Sequence, residues 1–446
     1  MKKVLILGAG LIAKPIVSYL LDKGYRVTVA DRIKSKAKDM TRGHVNGTAV
    51  EWTTDDTETL DKMVEDHDLS VSLLPYAHHP LVAKHCLKHG KNMITTSYVK
   101  PEMQALDKEA KNKGIIILNE LGLDPGIDHM SAMRIINHVH NNNGRIEEFY
   151  SICGALPSPE SLDNPFRYKF SWSPKGVLMA SNNPGKYLKK GKEVNVSGEK
   201  LFEDRFSVEF PRIGELEVYP NRDSMSYIDL YGIPETQTMY RGTFRHPGWC
   251  ESIDAMKKLK LLDYEKRDFS GKTYAEFMAI MAECESKENI KSKVASALSL
   301  NEYAHALKAM EWLGLFEERP MNRETDSPFE IVSDLMMEKM MTGKNERDMV
   351  VMQHVFVASY PEGKKEVIKS SLLDFGTPGG DTAVAKTVAL PAAIAVEMIL
   401  DGKINSTGVH IPVIPDIYNP ILDRLEKMDI KMHEEYGLPM SEHIDK

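Results

Sequence analysis

Cysteine is scarce in this 446-residue chain: Cys86, Cys153, Cys250 and Cys284 are the only four, and no two form a C-x-x-C pair. Such spacing supplies neither a disulfide framework nor a zinc ribbon, and it points to a reducing compartment. An excess of positive charge is also missing, since 57 basic residues face 65 acidic ones for a formal net charge of -8. A protein that coats nucleic acid or anionic lipid needs the opposite balance, so neither is an expected partner. No run approaches the ~20 apolar residues of a membrane helix, and there is no repeat or low-complexity tract. The opening MKKVLILGAGLIA has two lysines before an apolar run, but Gly8 and Gly10 interrupt it and Lys14-Pro15 ends it. It reads as a buried strand and not as a signal peptide. A cytoplasmic protein with no membrane association is the expectation.

What is present is the composition of a folded, multidomain protein. With 42% hydrophobic and 27% charged residues the chain is far from disordered compositions. Its length suggests two or three domains of ~150 residues.

The first third alternates two periodicities. Short apolar runs at 4–7, 26–30, 69–74, 92–95 and 114–118 have the character of strands buried on both faces. Between them lie helical stretches such as 15–21, 80–89 and 101–113. Lys23-Gly24, His89-Gly90 and Lys113-Gly114 punctuate three helix ends, where glycine can take the left-handed cap and a cation meets the negative helix terminus. This βαβ grammar predicts a Rossmann-type, doubly wound parallel sheet over 1–127. After about Leu123 the pattern changes. Strands at 148–153, 193–196 and 216–219 and helices at 274–283 and 302–315 predict a second, mixed α/β domain over 128–384, with a mainly helical insert at about 252–345. An Ala-rich helix over 382–400, with Pro391 as an expected kink, is followed by another helical stretch within 415–431. The segment 385–446 is expected to pack back on the first domain.

Gly8, Gly10, Leu11, Ile12 and Ala13 form a G-x-G-x-x-A turn between the first strand and the first helix. Gly8 permits the tight turn, Gly10 lets backbone approach a pyrophosphate, and Ala13 keeps helix and strand close. A dinucleotide cofactor follows. Asp31, at the end of the second strand, is placed to accept from the adenosine ribose and to repel the 2′-phosphate of NADP; Arg32 is placed to bind that phosphate or to stack on adenine. Asp31 can alternatively cap the next helix. Weighting the carboxylate, we expect NAD(H) to be favoured over NADP(H).

Four polar, glycine-bearing strings mark predicted element ends, where ligands bind such sheets: TTSYV (95–99), NELGLDPGIDHM (119–130), DNPFRYKFSWSPKG (163–176) and YPNRDS (219–224). With RGTFRHPGW (241–249) they closely resemble the saccharopine reductases, the glutamate-forming saccharopine dehydrogenases. The resemblance covers most of the chain and is weakest over 256–352. It implies an oxidoreductase acting on CH-NH bonds in lysine metabolism, which interconverts saccharopine with glutamate and α-aminoadipate semialdehyde through an imine. It also implies substrate binding by Ser97, Tyr98, Asp124, Arg222, Thr243, Phe244 and Arg245. One departure is visible: the family pattern has a neutral residue before the arginine after the second strand and is associated with NADP, whereas this chain has Asp31.

The residue types fit that chemistry. Guanidinium groups bind carboxylates in a bidentate fork, and Arg222 and Arg245, with Lys169 nearby in its string, favour an acidic substrate. Asp124, Tyr98 and Cys153 are the candidate catalytic proton carriers, and the choice among them stays open. Asp124 can equally be a turn residue, and Tyr98 and Cys153 can be packing residues. His78, His79 and His129 read as structural, and Asp128 with His129 lacks further ligands, so no metal is expected. Two other readings remain: an imine reductase of the carboxynorspermidine or homospermidine type acting on a diamine, and a non-catalytic dinucleotide-binding scaffold. The expected partner is a small amino-acid substrate, with a homodimer as the candidate assembly.

Overall fold

The computed structural model describes residues 1–444; the final two residues of the expected 385–446 tail lie outside the described residues. The first stretch runs β1 (Lys3–Leu7), α1 (Ala13–Asp22), β2 (Arg26–Asp31), α2 (Lys34–Thr41), β3 (Gly47–Glu51), α3 (Thr57–Asp66), β4 (Leu69–Ser72), α4 (His79–His89), β5 (Asn92–Thr95), α5 (Pro101–Gln104), α6 (Asp107–Lys113), β6 (Ile116–Leu118) and α7 (Ile127–Asn141). A mixed region follows: β7 (Arg145–Pro157), α8 (Pro174–Ala180), β8 (Gly185–Lys189), β9 (Lys192–Val196), β10 (Phe206–Phe210), β11 (Gly214–Pro220), α9 (Ser226–Tyr231) and β12 (Thr238–Arg245). Next come α10 (Trp249–Lys258), β13 (Arg267–Asp268), α11 (Tyr274–Met281), α12 (Ile290–Ala297), α13 (His305–Leu313), β14 (Thr325–Asp326), α14 (Pro328–Met340) and β15 (Asp348–Ser359). The chain closes with β16 (Lys365–Phe375), α15 (Ala383–Leu400), β17 (Gly408–His410), α16 (Pro415–Glu426) and β18 (His433–Leu438). These elements form two compact units: residues Met1–Arg145 with Ala358–Leu438, and Ile146–Val357 with the stretch from Pro439.

The first unit is built on a seven-stranded sheet, ordered β17-β6-β5-β4-β1-β2-β3, in which every pairing is parallel. Side chains alternate across it. Leu5 and Leu7 join Leu60 and Val64 of α3 and Val82, Ala83, Cys86 and Leu87 of α4 in one core cluster. Val4 and Ile6 are buried on the other face. There α1, whose buried residues 13, 16, 17, 20 and 21 follow helical spacing, packs on α2 and α15. Helices therefore cover both faces, as a doubly wound sheet requires. Gly24, Gly90 and Gly114 end α1, α4 and α6 at positive φ, as their sequence positions suggest. Two strands were not foreseen: β3, which lacks a continuous apolar run, and the three-residue β17.

α15 needs a correction of its own. Alone among the described helices it has the length and apolarity of a membrane span, with a mean hydropathy of 1.8 over 18 residues. Its residues are 78% buried, however, and it packs on α1 and α16, which is the behaviour of a core helix. Tyr19 of α1 donates to Glu397 Oε2 of α15 at 2.7 Å, and Lys14 pairs with Asp381 at 2.5 Å just before α15. The long helix is thus tied to the helix that opens at the glycine turn. β16 and β18 form an antiparallel pair in the same unit.

The second unit is a mixed sheet, in which β12 runs antiparallel to β11 and parallel to β7. The order is β10-β11-β12-β7-β15, with β8 and β9 attached off that path. Helices α10 to α14 lie between β12 and β15 in the chain.

One glycine between β6 and α7 has no room for a side chain. Gly126 sits at φ +147, and a Cβ there would fall 2.0 Å from the Gly122 carbonyl oxygen and 2.3 Å from its carbon and nitrogen. Both the conformation and the clash are with backbone, so little relief is available. Gly126→Ala is expected to destabilise the protein by about 3 kcal/mol, read as a lower denaturant midpoint; an unchanged midpoint would show that the turn can rearrange freely.

Candidate active site

The glycine turn is shaped by hydrogen bonds to the second strand. Gly8, at φ +105, donates to Ala30 O at 2.9 Å, and a Cβ there would lie 3.1 Å from Leu73 O at the exit of β4. Gly10 is the opposite case: a Cβ there would meet nothing within 4 Å. Ala13 N donates to Gly10 O at 3.1 Å and starts α1, while Ile12 at the N-cap gives no side-chain cap and Leu11 is 57% exposed. Backbone amides at the helix N-terminus, an open approach at Gly10 and the axial field of α1 together suit a pyrophosphate. Gly8, Gly10, Leu11, Ile12 and Ala13 therefore form a fitting cradle for a dinucleotide, which would supply hydride when bound.

Asp31 does something other than expected. Its Oδ2 accepts from Ala9 N at 2.8 Å and its Oδ1 accepts from Ile33 N at 2.8 Å. Both carboxylate oxygens are engaged by the chain's own amides, so the group braces the glycine turn against the loop after β2. Arg32, next to it, is exposed.

A second group of residues gathers at the ends of β5 and β6. Ser97 Oγ lies 2.8 Å from His79 Nε2, and Tyr98 Oη donates to Asp124 Oδ1 at 2.6 Å. Val99 N donates to Glu120 Oε1 at 2.8 Å, and His129 Nε2 donates to Glu120 Oε2 at 2.7 Å. Glu120 and His129 are both buried, and Glu120 has φ +61. Its backbone N–H bonds Ser97 O at 3.2 Å, so the two loops are stitched through main chain and side chain alike. Asp128 Oδ1 accepts from Gly126 N at 2.6 Å and fixes the start of α7. His79 and His129 have side-chain partners, as expected of structural histidines. The role of Glu120 was missed, although an acid and a histidine nine residues apart in one polar string were the available signal.

In the second unit, β12 presents alternate faces. Phe244 is fully buried, with its ring 5.8 Å from that of Phe210 and its Cβ against Gly154, so it contributes through its backbone carbonyl. Thr243 and Arg245 lie on the other face, and Thr243 is in register with Tyr219 of β11 and Cys153 of β7. Cys153 is buried. Arg245 is 4% exposed and donates from Nη1 to Phe244 O at 2.8 Å. Its guanidinium carbon sits 5.1 Å from the Tyr168 ring and 5.7 Å from those of Tyr219 and Trp249. No carboxylate pairs with it among the described residues. Burial pushes the Tyr219 hydroxyl up to about 12, against a lowering by Arg245, so it stays a proton donor. Arg222 stands in an exposed turn after β11 at φ +57, where its carbonyl accepts from Lys186 N at 2.8 Å. Lys169 is not available for substrate: it is buried and paired with Asp163 at 2.6 Å and with Glu346.

Two family models cover nearly the whole chain: the saccharopine dehydrogenase NADP binding domain matches residues 4–118, and the saccharopine dehydrogenase C-terminal domain matches residues 122–430. The chain belongs to the saccharopine dehydrogenase family. It is 38% identical over 446 aligned residues to a saccharopine dehydrogenase [NADP(+), L-glutamate-forming] of Schizosaccharomyces pombe, covering 98% of this chain and 99% of that one. A bovine mitochondrial alpha-aminoadipic semialdehyde synthase is also 38% identical, covering 95% of this chain and 47% of the longer relative. The apo saccharopine dehydrogenase (L-Glu forming) of Saccharomyces cerevisiae superposes with a TM-score of 0.91 at 35% identity, covering 98% of this chain and all of that one.

These relatives correct the cofactor expectation. The matched domain is NADP-binding and the fungal enzymes are named for NADP(+), so NADP(H) replaces NAD(H) as the cofactor indicated for this family member. The physical reason is the orientation of Asp31, whose carboxylate accepts from the Ala9 and Ile33 amides, while Arg32, Lys34 and Lys36 are exposed cations after β2. Removing that brace should loosen the turn for any dinucleotide. Asp31→Ala is expected to weaken NADPH and NADH alike by about tenfold, the scale of a lost charge-assisted hydrogen bond. Fluorescence titration checks this, and a loss confined to NADH would place the carboxylate against the ribose instead.

Proposed function

We propose that this chain is an NADP(H)-dependent saccharopine dehydrogenase of the glutamate-forming type. In the direction of synthesis, the glutamate amine adds to the aldehyde of α-aminoadipate semialdehyde, water leaves, and the resulting carbon–nitrogen double bond is reduced. The cofactor supplies the hydride. The protein must recognise carboxylates, orient the amine and handle protons as water is lost.

Arg245 is the observation that carries the substrate assignment. A guanidinium this deeply buried normally has a counter-charge, because uncompensated burial is strongly unfavourable. Here three aromatic faces and one carbonyl surround it, which stabilise a cation without neutralising it, and Glu217, its register partner on β11, makes no ion pair with it. A substrate carboxylate completes such a site, and a diamine does not. Arg222, on the exposed turn, is assigned a second carboxylate, and Thr243 a hydroxyl contact.

Asp124 is assigned the proton released at the substrate nitrogen, with Oδ1 held by the Tyr98 hydroxyl at 2.6 Å. A short bond to a carboxylate fixes the direction of the hydroxyl. Tyr98 is thereby positioned to return a proton, and Cys153, level with Thr243 in the sheet, is assigned as a further proton carrier. Ser97 is assigned to orient the substrate.

Arg245→Ala is expected to lower kcat/KM for saccharopine by at least about tenfold, because a charged hydrogen bond is lost, with the NADPH dissociation constant nearly unchanged. Arg245→Lys should recover little, since an ammonium lacks the bidentate fork. Equal damage to nucleotide binding would assign the arginine to the cofactor. In assays of NADPH oxidation with α-aminoadipate semialdehyde, glutamate should outpace lysine and diamines as the amine donor; a diamine at least as fast would overturn the assignment.

A further inference from the structure

His79 opens α4 and is 2% exposed, yet both of its ring nitrogens have partners at strand ends. Nδ1 lies 2.8 Å from Ser72 Oγ, at the last residue of β4. Nε2 lies 2.8 Å from Ser97 Oγ and 3.0 Å from Thr95 Oγ1, at the last residue of β5. Ser72 and Thr95 are register partners in the parallel β4/β5 pair, so the imidazole spans the carboxyl ends of two adjacent strands.

The ring is neutral at ordinary pH, because burial presses its pKa down to about 4, with His78 adding a smaller push. A neutral imidazole has one N–H donor and one acceptor, and each of its three neighbours is a hydroxyl that can take either role. The arrangement is satisfied without a buried charge. It also ends inward: Ser72 and Thr95 are fully buried, and only Ser97 is partly exposed. A chain of hydroxyls that stops in the core has no route to deliver a proton to solvent, so its work is to hold. With Oγ bonded to His79 and its backbone carbonyl held by Glu120 N, the Ser97 hydroxyl keeps its remaining hydrogen-bonding capacity for its partly exposed side.

We infer that His79 is a positioning residue for the amino-acid substrate, acting through Ser97: the imidazole sets the direction in which the Ser97 hydroxyl meets the substrate. The inference rests on the reading that Ser97 contacts saccharopine. It extends the site into the core, to a residue that never touches substrate.

The test is a double-mutant cycle on the full chain, with kcat and KM for saccharopine, the NADPH dissociation constant and the thermal midpoint measured for each variant. His79→Ala should lower kcat/KM about tenfold while NADPH binding holds. His79→Gln, whose amide can reach the former Nε2 position, should restore most of it. In a Ser97→Ala background, His79→Ala should cost nothing further in kcat/KM, even if the thermal midpoint drops. The inference fails if His79→Ala lowers kcat/KM equally with and without Ser97, if NADPH binding weakens in parallel, or if Ser97→Ala turns over saccharopine like the parent. A parent protein that does not turn over saccharopine with NADP(+) would overturn the functional reading itself, and this inference with it.

Discussion

A carboxylate held between two backbone amides sets the cofactor end of the first unit. Asp31 takes the N–H of Ala9 on one oxygen and that of Ile33 on the other, which locks the glycine turn to the strand beside it. No other side chain caps the turn, since Gly8 and Gly10 carry none and Ile12 gives no cap; the remaining ties are backbone bonds, from Gly8 N to Ala30 O and from Ala13 N to Gly10 O. With the turn fixed, the amides of α1 stay aimed at one place, and the helix dipole acts there rather than over a mobile loop. The ion pair of Lys14 with Asp381 and the bond of Tyr19 with Glu397 then anchor the same helix from the far side.

Polar groups of the molecule fall into two kinds, and the difference separates framework from site. Glu120, His129, His79, Asp128 and Lys169 are buried with their partners in place, and they hold loops still. Arg245 is buried with its charge unanswered. A buried charge without a partner is strongly unfavourable, and this imbalance is what the proposed carboxylate contact at Arg245 rests on. The neighbouring Tyr219 hydroxyl, kept protonated by burial, adds a donor to the same surroundings.

Much of the fold was legible because local signals agreed. The apolar runs of β1, β2, β4, β5 and β6, the helix-ending glycines and the G-x-G-x-x-A turn all say parallel α/β, and the structure follows them. What stayed hidden depends on distant parts of the chain. β17 has three residues and becomes a strand only because β6 offers it an edge. Asp31 stood where a ribose-binding acid belongs, but a motif fixes a residue's place and not the direction of its side chain, and nearby amides claimed both oxygens. Lys169 looked like a substrate cation because Asp163 and Glu346 could not be seen converging on it. Arg245 was singled out by resemblance, while its aromatic surroundings come from three separate segments.

The seventh strand has a bearing on how the protein is made. Six strands of the parallel sheet are complete by Leu118, but β6 meets its outer neighbour only at Gly408–His410. Asn119 N donates to His410 O, and its side chain reaches the same carbonyl across 291 residues of sequence. During synthesis, therefore, the edge strand β6 precedes its outer neighbour by the whole stretch Ile146–Val357 of the second unit. An unpaired β-edge is a template for unwanted pairing with another chain, and closure over so long a loop is slow. Until residues 408–410 are made, the outer edge of β6 has no strand to pair with, and α15, which anchors α1, comes equally late in the chain.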